Sequence, residues 1–215
     1  MQTIVVFDLD GTLLDSAPDI QAALNRVLRA RGLAPYDLPE VKAMIGDGAR
    51  VLLERALAGR GEAFDEEALA AFLIDEDISQ ARLTAPFPGI AEVLRDIEAA
   101  GWRMAVCTNK PEGPARGLLD SLGLGARFAA IGGGDSFPVR KPDPAHLRAT
   151  LAAAGGDPAH AVMIGDHRND VMAAAGCGVP CIFAAWGYGP RMMAGDAPVA
   201  EAPADLPGLI AALRR

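Results

Sequence analysis

Cysteine is scarce in this 215-residue chain: Cys107, Cys177 and Cys181, with no CxxC spacing. An odd count without paired spacing argues against a disulfide framework and for a reducing compartment. Cys107 lies inside an apolar run and reads as a buried thiol. Positive charge is also short, with 20 Lys and Arg against 28 Asp and Glu and a formal net charge of -8. Nucleic acid and anionic membrane both require basic surface, so neither is an expected partner. A chain of this balance that handles an anionic small molecule must gather its few cations in one place. Long hydrophobic runs are missing as well. The N-terminus has no basic leader, and Ile4-Val5-Val6-Phe7 ends at Asp8, too soon for a signal core. The longest uncharged stretch, residues 171–190, contains Gly176, Gly178, Pro180, Gly187 and Gly189, which break any single spanning helix. The expected location is the cytoplasm, and no pattern specifies an oligomer.

Strand signals are absent between residues 15 and 85. Residues 3–7 are a short apolar run rich in β-branched residues, as in a strand buried on both faces. Ser16-Ala17-Pro18-Asp19 then reads as a helix start, with Ser16 as N-cap, Asp19 at the capping-box position and Gly32 as the stop. Residues 41–80 carry helical apolar stripes punctuated by Gly46, Gly48, Gly59 and Gly61, and Pro86-Phe87-Pro88-Gly89 closes this insert. After Gly89 helix and strand alternate. Strands are expected at 102–107, 128–131, 161–164 and 181–184, and helices at 90–100, 112–122, 144–154, 169–176 and 205–213. The fold class is therefore α/β: a Rossmann-like parallel sheet with helices on both faces, plus an all-helical insert. Ligands of such sheets bind at the carboxyl ends of the strands, and three of those ends carry Asp8, Thr108 and Asp166.

Asp8-Leu9-Asp10-Gly11-Thr12 places two acids at i and i+2 on an extended segment, pointing to one side. Alone, the run also suits a turn. After a buried strand, with no neighbouring base, it invites a cation. Asp166 and Asp170 recur at i and i+4, on one face if a helix begins near Asp166. Thr108 and Asn109 offer a hydroxyl and an amide to phosphoryl oxygens. Lys141, in Arg140-Lys141-Pro142-Asp143-Pro144, supplies a cation on a stiffened backbone. Phosphoryl transfer needs such a set: an in-line nucleophile, a proton donor, and positive charge on the equatorial oxygens. A carboxylate nucleophile repels a phosphate dianion, and a shared Mg²⁺, which prefers carboxylate and water oxygen, removes that repulsion.

Together these motifs resemble the haloacid dehalogenase superfamily over nearly the whole chain: Asp8-Leu9-Asp10-Gly11-Thr12, Thr108-Asn109, Lys141-Pro142, and Gly165-Asp166 with Asp170. The resemblance implies that Asp8 attacks phosphorus to form an aspartyl-phosphate, and that Asp10 serves as acid and then base. It implies Mg²⁺ held by Asp8, the Asp10 backbone carbonyl, Asp166 and Asp170. Thr108 and Lys141 would bind the phosphoryl group, with Gly11, Thr12 and Asn109 around it. It also implies a core of residues 1–14 and 87–215 under a mobile helical cap of residues 15–86. Leu13 to Ser16 and the region of Pro86 would be the hinges. The opening Asp10 to Asp19, the loop Ile45-Gly46-Asp47-Gly48-Ala49 and Gly133-Gly134-Asp135-Ser136 are similar to the phosphoglycolate phosphatase branch. That makes 2-phosphoglycolate the expected substrate. Another sugar phosphate, pyrophosphate, or a β-phosphoglucomutase-like transfer is the alternative. In the cap, Gly46 and Arg50 are candidate substrate contacts, Arg50 meeting a carboxylate or forming a surface ion pair. His167 stands where the branch commonly has Ser, and either touches the metal site or faces solvent. A phosphoacceptor signalling module would carry adjacent acids and no insert; this chain has neither feature.

Overall fold

In the computed structural model, which describes residues 3–213, the chain begins with β1 (Ile4–Phe7), β2 (Leu14–Asp15) and α1 (Ala17–Ala30). The insert continues with α2 (Leu38–Lys42), α3 (Ala49–Ala58), α4 (Glu66–Leu73) and β3 (Ala85–Pro86). Alternation follows: α5 (Ile90–Ala99), β4 (Arg103–Cys107), α6 (Glu112–Ser121), β5 (Ile131–Gly132), α7 (Pro144–Ala153) and β6 (Ala161–Gly165). The chain closes with α8 (Arg168–Cys177), β7 (Cys181–Ala184), β8 (Val199–Ala200) and α9 (Leu206–Leu213).

Six strands form one parallel sheet in the order β5-β4-β1-β6-β7-β8. The two-residue period of a strand explains how one sheet feeds two cores. Val5 and Phe7 on β1, Met104 and Val106 on β4, and Val162 and Ile164 on β6 join the apolar faces of α5, α6 and α9. Their alternates Ile4, Val6, Ala105, Cys107, Ala161 and Met163 join Leu147 and Leu151 of α7 and Ala173 and Ala174 of α8. Every residue of β1 is buried, which is why its run is uniformly apolar rather than alternating. A third cluster lies within the insert, where Leu24 and Leu28 of α1 pack on Leu53 and Leu57 of α3 and Phe72 of α4.

The expected elements form with local corrections. Ser16 is the N-cap residue of α1 but makes no side-chain cap bond, because its hydroxyl donates to Asp10 Oδ1 at 2.5 Å. Asp19 is not in a capping box either. Its carboxylate accepts from the backbone N–H groups of Arg82, Leu83 and Thr84, tying α1 to the return of the insert. The strand expected at 128–131 shortens to Ile131–Gly132, since a 3-10 turn occupies Gly125–Arg127. The two chain crossings into and out of the insert are not separate loops: Leu14 pairs with Pro86 and Asp15 with Ala85 as a short antiparallel ribbon. Two residues per strand lie below what a periodicity signal can register.

Candidate active site

β1 lies between β4 and β6, so the tips of all three strands open onto one place. Chain order reverses direction around β1, and such a switch point forms a crevice at the carboxyl edge. Asp8, Thr108 and Asp166 are the residues that follow these strands. Lys141 reaches the same point from the loop before α7, and it is 2% exposed. Its Nζ lies 2.9 Å from Asp8 Oδ1 and 2.6 Å from Asp170 Oδ1. The Leu9 N–H donates to the same Asp8 oxygen at 2.7 Å, so Oδ1 is held from two sides.

Asp8, Asp166 and Asp170 are all buried, and carboxylate oxygens of the three lie within 4.8 Å of one another. Three acids against one Lys141 leave an excess of negative charge in low dielectric. Burial pushes Asp8 from 3.8 to about 6; Lys141 counters this and Asp170 adds to it. Asp166 rises to about 6 through burial and then the charge of Asp8, although Thr12 Oγ1 and the Tyr188 N–H donate to it, both at 2.8 Å. Asp170 is raised by burial as well, with Lys141 opposing. Burial alone would depress the Lys141 ammonium; Asp170 and Asp8 outweigh it, and the net shift is upward. The donor set is all oxygen, hard and anionic, and it suits a divalent cation that would cancel this excess.

Several expected residues sit differently from their sequence reading. Asp166 is not on a helix face: α8 starts at Arg168, and His167 is its N-cap, accepting from the Asn169 N–H. His167 is buried rather than solvent-facing, and a Cβ at Gly46 would come within 2.7 Å of its ring. Gly46 also has φ +126°, a backbone only glycine adopts readily. Gly11, at φ +88°, abuts the Asp166 carboxylate so closely that any Cβ would collide with it. The Asp10 side chain is not part of the three-acid cluster, since its Oδ1 accepts from Ser16 and Lys110. Arg50 is not brought to the cavity: its guanidinium bonds Glu66 at 2.7 Å and stacks over Phe64, leaving the ion-pair reading of that residue. Asn109 donates its amide to the carbonyls of Gly46 and Lys141, both at 3.0 Å, linking insert, β4 tip and lysine loop.

Three contributors escaped the sequence reading. Lys110 is buried, with its Nζ 3.4 Å from Asp10 Oδ1. Tyr188 donates its N–H to Asp166 and its hydroxyl to Asp15, joining the acid cluster to the β2 strand. His146, wholly buried, receives the Lys141 N–H at Nδ1, so its Nε2 carries the proton donated to the Gly133 carbonyl at 2.9 Å. Burial, followed by the charge of Lys141, lowers His146 to about 4, which keeps it neutral for that role.

Asp8, Asp10, Thr108, Asn109 and Lys110 form one side of a cavity, and Ile20, Ile45, Leu52, Phe72, Leu73 and Ile78 of the insert line the rest with Gly46, Gly48 and Ala49. Among the described residues no helix is long and apolar enough to cross a membrane. A family model for haloacid dehalogenase-like hydrolases matches residues 3–178. The phosphoglycolate phosphatase of Caulobacter vibrioides is 45% identical over 188 residues, covering 86% of this chain and 79% of that one. Phosphoglycolate phosphatase 1 of Pseudomonas aeruginosa is 45% identical over 202 residues, covering 91% and 74%. A crystal structure of a predicted phosphoglycolate phosphatase from Haemophilus somnus superposes with a TM-score of 0.87 at 28% identity, over 97% of each chain.

Proposed function

The chain belongs to the haloacid dehalogenase-like hydrolases and is an enzyme that hydrolyses phosphate esters; from that premise we propose that it cleaves 2-phosphoglycolate to glycolate and phosphate. The observation that carries the chemistry is the pairing of Asp8 and Asp10 in one cavity with different partners, Lys141 for Asp8 and Ser16 with Lys110 for Asp10. With Oδ1 of Asp8 held, its other oxygen attacks phosphorus in line, forming an aspartyl-phosphate as the bond to the ester oxygen breaks. Asp10 gives its proton to that leaving oxygen. It then takes a proton from the water that attacks the aspartyl-phosphate, releasing phosphate and restoring Asp8. Thr108 and Lys141 bind the transferring oxygens. Asp8, Asp166 and Asp170 would hold Mg²⁺, which would neutralise charge on the phosphoryl group. Residues 15–86 act as a cap on the core of residues 1–14 and 87–215, and the β2–β3 ribbon is its hinge.

The substrate assignment rests on the cavity and on the relatives' names. The cap wall of Ile20, Ile45, Leu52, Phe72, Leu73 and Ile78 is apolar and offers few partners for sugar hydroxyls. Three free cysteines fit the reducing cytoplasm proposed for this enzyme. In a panel of 2-phosphoglycolate, glucose 6-phosphate and pyrophosphate, kcat/KM is expected to favour the first by at least about 30-fold. A higher value on either competitor, or phosphate returned to a second hydroxyl instead of released, overturns the assignment.

Metal binding carries a pH signature. Asp8 and Asp166 titrate near 6 in the folded metal-free protein, against 3.8 ordinarily. The folded state therefore holds more protons than the unfolded chain between these values. The stability these two groups contribute is present below about 4 and is lost as pH rises through about 6. Mg²⁺ competes with those protons, so its affinity falls as pH drops through the same window. Mg²⁺ at about 100 times its Kd is expected to stabilise the protein by about 2.7 kcal/mol at pH 7.5 and by much less at pH 5, read by thermal denaturation. An equal Mg²⁺ effect at both pH values would place the ion elsewhere.

A further inference from the structure

Lys110 is a buried cation whose donors are largely uncommitted. Its side chain is 5% exposed, and among the described contacts its Nζ has one partner, Asp10 Oδ1 at 3.4 Å. That oxygen has a much closer donor in Ser16 Oγ at 2.5 Å. An ammonium carries three donors, and a 3.4 Å contact engages one of them weakly. Lys141 differs: it is committed to two carboxylates at 2.9 and 2.6 Å. A lysine serving only to fix Asp10 would be expected at hydrogen-bonding distance, as Lys141 is from its two acids. Lys110 is instead anchored at its backbone, its N–H bonding Thr108 Oγ1 at 3.1 Å and its carbonyl accepting from the Gly134 N–H at 2.8 Å.

Among the described residues Lys110 is also the only cation lining the cavity, which otherwise presents Asp8, Asp10, a few polar groups and the apolar cap wall. We infer that Lys110 is a specificity-determining residue that binds a carboxylate on the leaving group, so that the enzyme selects short phosphate esters of 2-hydroxy acids; this rests on the phosphate-ester reading and sharpens it. In such an ester the carboxylate carbon lies two bonds from the ester oxygen. Asp10 protonates that oxygen, and Lys110 lies beside Asp10. The carboxylate would give the buried ammonium the second anion it lacks, and a substrate without one leaves it underpartnered. Discrimination built this way is strong, because the wrong substrate leaves a buried charge unpaired rather than merely losing a contact.

The test compares 2-phosphoglycolate, phospholactate and ethyl phosphate in wild type, Lys110→Met and Lys110→Gln. Wild type is expected to favour the carboxylate esters over ethyl phosphate by at least about 100-fold in kcat/KM. Whatever the substitutions cost on ethyl phosphate, they should cost about 30-fold more on the carboxylate esters, mostly in KM. Equal losses on all three substrates would overturn the inference, leaving Lys110 a partner of Asp10 alone. So would equal inhibition of the wild-type enzyme by 3-phosphonopropionate and by propylphosphonate, a comparison that does not depend on a variant folding. Phospholactate outrunning 2-phosphoglycolate, with the gap to ethyl phosphate still closed by Lys110→Met, would instead end the 2-phosphoglycolate assignment and leave the role of Lys110 standing.

Discussion

Asp8→Asn is expected to reduce turnover of any phosphate monoester on the order of 10⁴-fold or more, while the protein folds normally. The amide is isosteric with the carboxylate, so the packing at the tip of β1 is retained and the Leu9 N–H keeps an oxygen to bond. What disappears is the anionic oxygen proposed to form the bond to phosphorus, and among the described residues the other buried acids of the cluster are held elsewhere. Asp166 is fixed by Thr12 and Tyr188, and Asp170 by Lys141 and the His167 N–H. Stability should move the other way. Burial raises Asp8 to about 6, so at neutral pH it stays ionised but its charge costs more in the folded protein than in the unfolded chain. Removing that charge is expected to hold or raise the metal-free melting temperature and to shrink the added stabilisation by Mg²⁺. Loss of activity with no loss of stability marks a group kept for chemistry at a cost to the fold. Residual turnover above about 1% of wild type, with the amide intact by mass spectrometry, would remove Asp8 from the nucleophile's role.

The parts of the site legible in sequence are those where a short apolar run ends abruptly in a polar residue. Asp8 after Ile4–Phe7, Thr108 after Arg103–Cys107 and Asp166 after Ala161–Gly165 are of this kind, and a parallel sheet converts three such ends into one place. Lys141 had only its proline-flanked loop as a signal, yet its burial between Asp8 and Asp170 matches the expectation of a fixed cation. Lys110 was harder to see, because a lysine shortly after a strand is ordinarily solvated, whereas this one is buried. Tyr188 and Gly189 contribute through backbone N–H groups, which every residue but proline possesses, so their sequence carries no mark of the contact with Asp166. The error over Asp166 and Asp170 has a similar origin. Their spacing suggested one helical face, whereas a buried histidine cap sets the helix start two residues later and Asp170 folds back on the cap's N–H. The carboxylates converge all the same, because a tight turn brought the first acid beside the second.

Lys141→Met is expected to produce the largest combined loss, about 10³-fold in kcat/KM together with a pH-dependent fall in stability. The catalytic part follows from removing the cation that holds Asp8 Oδ1 at 2.9 Å and is proposed to bind the phosphoryl group. The stability part follows from what remains. Met fills much of the same volume, but among the described residues Asp8, Asp166 and Asp170 are left with no other cation in contact. Breaking a buried ion pair by deleting one partner costs about 3–5 kcal/mol when the other charge stays behind. Here the charges can escape by taking up protons, and that fixes the sign with pH. Without Lys141 the acids rise further above their unfolded values, so the folded variant binds protons more tightly than the unfolded chain. Its deficit relative to wild type is then largest near pH 7.5 and shrinks as pH falls toward 4.5, where the acids are neutral. At that pH the wild-type ammonium is itself poorly paired, and the deficit can reverse. Mg²⁺ should also restore part of the stability at pH 7.5, because it supplies the missing positive charge to the same carboxylates. Urea denaturation of both proteins at pH 7.5 and 4.5, with and without Mg²⁺, reads all of this in one set of midpoints. A deficit of equal size at both pH values, indifferent to Mg²⁺, would mean that Lys141 stabilises the protein through the packing of its hydrocarbon stem and not as the counter-ion of the acid cluster.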